Sequence, residues 1–103
     1  MEVIIQSLGF KASEQLENFA GEKLEKLEPL NHNIIRANVT LFQDAAGTTE
    51  NNYCEIRLEA PGNDPFVKKH AESFEQSISE AVDALQSILR KNKEKLIDQR
   101  HAG

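Results

Sequence analysis

Tryptophan is missing from this 103-residue chain, tyrosine and cysteine occur once each, and no apolar run approaches the roughly 20 residues needed to cross a bilayer. A lone Cys54 excludes any intramolecular disulfide and fits a reducing compartment. Its neighbours are strand-like and include no histidine or lysine, so the thiol reads as a small buried hydrophobe and not as a nucleophile. The first residues have neither the basic nor the apolar stretch of a secretory leader, which places the protein in the cytoplasm. A general surplus of cations is lacking too: 12 Lys and Arg face 17 Asp and Glu, a net charge of -5. Any patch of positive charge must therefore be local.

Equally absent are the usual signs of catalysis. His32, His70 and His101 share no metal-ligand spacing with one another or with Cys54. No glycine-rich phosphate loop occurs, and no serine sits in a nucleophile elbow. Glu55 and Glu59, two strand turns apart with Arg57 between them, read as a solvated cross-strand charge lattice and not as an acid pair. No enzyme activity, metal, cofactor or small-molecule substrate is expected.

What the chain does contain is a sequence of short periodic segments sufficient for one domain over residues 1–103. Glu2 to Leu8 is aliphatic and β-branched, a strand closed by Gly9. Ser13 offers an N-cap, and Leu16, Phe19, Ala20, Leu24 and Leu27 recur at helical spacing up to Pro29. From Asn33 to Gln43 the period becomes two, with Ile35, Ala37, Val39 and Leu41 on one side and Arg36, Asn38 and Thr40 on the other. Asp44 to Asn52 is a polar hairpin loop. Cys54, Ile56, Leu58 and Ala60 then alternate with Tyr53, Glu55, Arg57 and Glu59 before the turn Pro61-Gly62-Asn63-Asp64.

Phe66 to Ala71 is a fourth, more polar strand. Ser73 and Gln76 open a last helix whose stripe is Phe74, Ile78, Ala81, Val82, Leu85, Ile88, Leu89 and Leu96, with Asp98 to Gly103 as a frayed tail. Neither helix buries its stripe alone. The expectation is an α+β fold, β-α-β-β-β-α, with both helices packed on one face of a four-stranded sheet.

Charge is unevenly placed along this order. Residues 1–60 carry 5 basic and 10 acidic side chains, whereas residues 61–103 carry 7 of each. Within the second part, Arg90-Lys91-Asn92-Lys93-Glu94-Lys95 forms a basic helix end. At about 100° per residue, Lys91 and Lys95 share a flank with Ala84 and, a little further round, Ser87; Arg90 and Lys93 lie toward the other flank. Such an end favours solubility and the helix dipole, and it also suits a nucleic-acid backbone. The first helix adds Lys23, on the apolar arc with its stem packed, and Lys26, both among glutamates that invite intrahelical pairing.

Three segments carry a resemblance to a known family. They are the opening strand and turn with Ser13-x-x-Leu16-x-x-Phe19, the helix end Lys23-Leu24-Glu25-Lys26-Leu27-Glu28, and Asp83-Ala84-Leu85 through Arg90-Lys91-Asn92-Lys93-Glu94-Lys95-Leu96. Together they resemble the ribosome hibernation-promoting factors, also described as ribosome-associated inhibitors or sigma-54 modulation proteins, in their short form. The resemblance implies the same β-α-β-β-β-α fold. It further implies a protein that blocks and preserves idle ribosomes by binding the small subunit in the mRNA-tRNA channel; no membrane partner is expected from the apolar pattern, and a monomer is expected off the ribosome.

The contacts so implied are with ribosomal RNA phosphates, through Lys23, Lys26, Arg90, Lys91, Lys93 and Lys95. The chain departs from the family pattern at Glu17, Ala84 and Ser87, where basic residues are usual, and at Glu75, often aromatic. A second reading therefore stands beside the first: a protein-interaction module of the same fold with weakened or lost RNA binding.

Overall fold

A computed structural model describes residues 1–44 and 49–102, with side chains for all of these except 93–102. Strand β1 (Glu2–Leu8) leads through helix α1 (Glu14–Leu24) and a 3-10 segment (Glu25–Leu30) to β2 (Arg36–Gln43), β3 (Asn52–Glu59), β4 (Phe66–Ala71) and helix α2 (Phe74–Ala102). The sheet order is β1-β2-β3-β4, parallel between β1 and β2 and antiparallel elsewhere. The expected α+β architecture is present, with the parallel pair joined by the α1 crossover as parallel strands require. No described helix is long and apolar enough to cross a membrane.

Local chemistry sets the boundaries. Gly9 and Gly62 adopt φ of 82° and 80°, the left-handed region that side chains disfavour, and so end β1 and turn the chain between β3 and β4. In that turn Asp64 Oδ1 accepts the Ala60 N–H at 3.3 Å. The Ser13 hydroxyl caps α1 by accepting the Leu16 N–H at 3.1 Å, and the Ser73 hydroxyl does the same for Gln76 at the start of α2.

The first helix is shorter than its apolar pattern suggests. Pro29 has no N–H for the Glu25 carbonyl, and its ring crowds that carbonyl, so the chain tightens into 3-10 geometry from Glu25 while still burying Leu27. The second strand also starts later than expected. Ile35 lies just before β2 and its backbone still bonds on both sides, its N–H donating to the Glu59 carbonyl at 2.8 Å and its carbonyl accepting from the Glu2 N–H at 3.0 Å, yet its side chain is 57% exposed while Ile34 takes the core position. The pleat that separates the two faces does not extend upstream of Arg36. At the other end, the α2 backbone stays helical through Ala102, past the point where a tail was expected; Gly103 lies outside the described residues. The polar hairpin loop closes with the Asp44 N–H on the Asn51 carbonyl at 3.2 Å, residues 45–48 lying outside the described set.

The core lies between the sheet and the helices. Leu24, Leu27, Leu41, Ile56, Leu58, Ile78 and Leu85 are fully buried, each removing apolar area worth about 1.5–3 kcal/mol from water. Two buried polar residues are satisfied locally. Asn52 donates to the carbonyls of Ala71 and Glu72 at 3.3 and 2.8 Å, tying the start of β3 to the end of β4, and the Ser77 hydroxyl donates to the Phe74 carbonyl.

The two helices run side by side in the same direction. Phe10, just before α1, stacks on Phe74 at the start of α2 with ring centroids 4.9 Å apart. At the far end, Leu30 and Asn31 border the same recess as Leu89 and Asn92 of α2. The later residues of both helices thus reach the same end of the molecule.

The other face of the sheet is open. Its cross-strand rows are Leu8–Phe42–Tyr53–His70, Gln6–Thr40–Glu55–Lys68 and Ile4–Asn38–Arg57–Phe66, bordered by Glu2–Arg36–Glu59. The Phe42 and Tyr53 rings stack at 5.0 Å, with the Lys68 ammonium 5.8 and 5.3 Å from their centroids and 3.9 Å from Glu55. Arg57 lies over the Phe66 ring at 5.2 Å.

The expected charge lattice is there, but its strongest link runs from Glu59 to Arg36 at 2.8 Å, with Glu2 on the same guanidinium at 3.4 Å. The amide of Asn38 and the guanidinium of Arg36 hold the Glu59 carboxyl below its ordinary pKa. The same pairing with Glu59, reinforced by Glu2, raises that of Arg36.

Candidate nucleic-acid interface

Helix α1 is sorted by charge around its axis. Its buried arc is Leu16, Ala20, Leu24 and Leu27. One flank, with Glu17, Gly21 and Glu25, borders a groove against Val3 and Ile5 of β1, so it faces the β1 edge of the sheet. At about 100° per residue Phe19 and Lys23 fall on the opposite flank, toward α2, and Lys26, in the 3-10 segment at about 120° per residue, stays on that side. Glu17 and Glu25 are thereby turned away from Lys23, while the exposed Glu22, which also borders that groove, stands between the two flanks, four residues before Lys26.

Lys23 is half-buried, as its place beside the apolar arc requires, and its ammonium sits 5.4 Å from the Phe19 centroid. Among the described residues neither Lys23 nor Lys26 makes an ion pair, so the expected intrahelical pairing with the surrounding glutamates is not formed. A ring face holds Lys23 without neutralising it, and Lys26 stands exposed.

The cations of α2 divide between its two flanks. Arg90 and Lys91 are both exposed. Using the same rotation from Leu85, Arg90 turns toward the α1 side and Lys91 toward the β4 side. Arg90 thus stands on the outer surface of α2, on the side turned toward α1. For Lys93 and Lys95 the backbone is helical, and their side chains lie outside the described residues.

On the β4 side a cation appears that sequence reasoning did not select. Lys69 pairs in register with the buried Cys54, so it points to the helix-covered face of the sheet, yet it is exposed because β4 is an edge. It lines a shallow recess with Ala84 and Ser87 of α2, the two positions without the usual basic residues, and with Glu80 and Asp83. Among the described residues Lys69 makes no ion pair with either acid. The signal was present in the alternation, since Val67, Lys69 and Ala71 share one face while Phe66, Lys68 and His70 share the other.

Cys54 takes no part in either cluster. It is fully buried, and burial together with the neighbouring Glu55 charge pushes its thiol up to about 12, leaving essentially no thiolate at neutral pH. Among the described residues, no group of three or more His, Cys, Asp and Glu is placed to hold a metal ion.

Comparison with known proteins shows to which family the chain is related. The family model described as "Sigma 54 modulation protein / S30EA ribosomal protein" matches residues 3–97. A ribosome hibernation promotion factor of Deinococcus radiodurans is 30% identical over 94 residues, 90% of this chain and 49% of that protein. The chain thus spans about half the length of the curated relative it matches. Among solved structures, the Thermus thermophilus Protein Y N-terminal domain aligns with a TM-score of 0.76 and 21% identity, covering 88% of this chain and 98% of that one. A ribosomal subunit interface protein from Coxiella burnetii aligns with a TM-score of 0.81 and 15% identity, covering 91% and 99%. At these identities the two structures establish the shared fold.

Proposed function

Because this chain belongs to the sigma 54 modulation protein / S30EA ribosomal protein family, we propose that it binds the small ribosomal subunit in the channel for mRNA and tRNAs, inhibiting translation and preserving idle ribosomes. What supports the reading is that Lys23 and Lys26 lie on the flank of the first helical segment that faces α2, with Arg90 on the α1 side of α2, and that none of the three is ion-paired among the described residues. Unpaired cations on adjoining ridges suit an RNA backbone, which supplies phosphates at regular intervals and releases counterions when they are met. Lys91 and Lys69 extend the same surface round α2, and Lys93 and Lys95 lie further along that helix. The role of these residues is positioning by charge, with no reaction.

The test is co-sedimentation with purified small subunits across a salt series. Binding at low salt that falls steeply with added salt supports the reading, and so does its loss in Lys23→Glu/Lys26→Glu. A protein that stays off the subunit at low salt, or binds equally well after that reversal, sinks it. The second reading, a protein-interaction module, is favoured by Ala84 and Ser87, and would appear as a dominant protein partner recovered without ribosomal RNA. Analytical ultracentrifugation of the free protein should give a monomer.

A further inference from the structure

The opposite side of the molecule presents a different kind of surface. β1 is an edge strand: the Glu2 N–H donates to the Ile35 carbonyl at 3.0 Å on the β2 side, and no described element pairs with its other edge. Because peptide groups alternate along a strand, those of Val3, Ile5 and Ser7 turn away from β2 toward that open edge. The strand has no lysine or proline to blunt it, and Ile4 and Leu8 are 43% and 48% exposed on its outer face. On its inner face, Val3 and Ile5 are half-buried beneath the β1-facing flank of α1.

From this geometry we infer that the free edge of β1 is a docking site for an extended lysine- or arginine-rich peptide segment, added to the sheet as a fifth strand. The unpaired peptide groups would supply the ladder. Alternate side chains of the incoming strand would enter the groove over Val3, Ile5 and Gly21, which Glu17, Glu22 and Glu25 border. Aliphatic stems on that apolar floor with ammonium or guanidinium heads at those carboxylates match both parts of the groove. The intervening side chains would meet Ile4 and Leu8.

Charge also selects against other occupants. A second copy pairing β1 with β1 would set two acidic flanks of α1 against each other, and a nucleic acid would place phosphates among the same carboxylates. The site shares no residue with the basic flank, so it stands or falls independently of the ribosome reading.

The probe is a capped nonapeptide of alternating lysine and valine, followed by fluorescence anisotropy at low salt with the full chain. Saturable binding is expected, with none for the glutamate-valine counterpart. N-methylation of the probe at alternate residues, which removes one edge of donors and leaves its charge intact, should weaken binding by about tenfold, as should Ile5→Pro, which deletes an outward N–H. Glu22→Lys/Glu25→Lys should weaken it too. If Ile5→Pro fails to fold, the N-methylated probe alone decides.

Binding indifferent to N-methylation would reduce the site to loose electrostatics and overturn the proposal, and so would a concentration-dependent dimer that competes with the probe. Ile5→Pro should leave subunit co-sedimentation intact. Probe binding without subunit binding sinks the ribosome reading and leaves this one standing.

Discussion

The two flanks of α1 are built from the same few residue types and end with opposite character. Toward β1 lie Glu17, Gly21 and Glu25; toward α2 lie Phe19, Lys23 and Lys26. The helix as a whole has no claim to be basic, and the chain's net charge of -5 argues against nucleic acid if read as a bulk quantity. What the difference teaches is that a net charge hides how charge is sorted around a single helix. A phosphate approaching the flank toward α2 meets Lys23 and Lys26, with Glu17 and Glu25 turned to the far side and partly screened by the helix between and by salt.

The largest expected effect abolishes both flanks together. Leu24 is fully buried on the arc between them, so Leu24→Ala should cost about 2–5 kcal/mol in urea unfolding, depending on how far the core collapses. Probe and subunit binding should then fall in parallel as α1 loosens. Unequal losses at a denaturant concentration where the fold is still intact would show that the flanks are positioned independently.

Charge exchange breaks the comparison without touching the core. Lys23→Glu/Lys26→Glu should weaken subunit binding by about tenfold to a hundredfold near 0.1 M salt, whereas Glu17→Lys/Glu25→Lys should leave it unchanged or slightly stronger. Equal losses from the two exchanges, measured by co-sedimentation, would mean that the sorting around α1 has no functional weight.

A smaller change tests Lys69. Its replacement by alanine should lower the slope of log binding constant against log salt by about one, the signature of a single lost phosphate contact, while leaving the melting temperature unchanged. An unaltered slope would remove β4 from the interface.

The smallest effect belongs to the open face and serves as a control for both flanks. Glu59 is held below the ordinary carboxylate pKa by Asn38 and Arg36, so it adds stability above that ordinary value, and the contribution is lost as pH falls through its folded value. Thermal unfolding from pH 7 down to about 3 should show wild type ahead of Glu59→Gln at neutral pH, with the gap closing below about pH 4. A gap that persists at low pH would attribute the effect to packing. Neither binding activity should follow this titration.

Much of the fold was legible because its period changes are sharp. The alternation from Arg36 to Leu41 and from Cys54 to Leu58 settles which faces are buried, and Ser13 and Ser73 mark their helices by a side chain that can reach only one place. Ile35 was misplaced because its backbone still bonds to both neighbours while the side-chain alternation breaks there, Ile34 filling the core position instead. The 3-10 segment was missed because Leu27 keeps its burial in either geometry, so the apolar pattern does not register the change of hydrogen bonding.

The candidate surface was less legible for a different reason. The separation of Lys23 and Lys26 from Glu17 and Glu25 depends on which neighbour flanks α1 on each side, a property of the crossover and not of the helix. Lys69 was overlooked because an exposed lysine on an edge strand looks alike on either face until its partner, Cys54, is known.

The aromatic row on the open face bears on the opposite side of the sheet. Phe42, Tyr53 and His70 lie in line across three strands, with Lys68 gripping the two stacked rings. Sliding β4 by one residue along β3 would carry Lys69 out to the open face and turn Lys68 or His70 inward beside α2. The contacts of Tyr53 with His70 and Lys68 thus favour the same alignment as the burial of Val67 and Ala71, and the address of Lys69 depends on side chains that it never touches. Loss of the Phe42 or Tyr53 ring would then blur a cation on the far face of the sheet, a lesion whose cause would be invisible from the surface it damages.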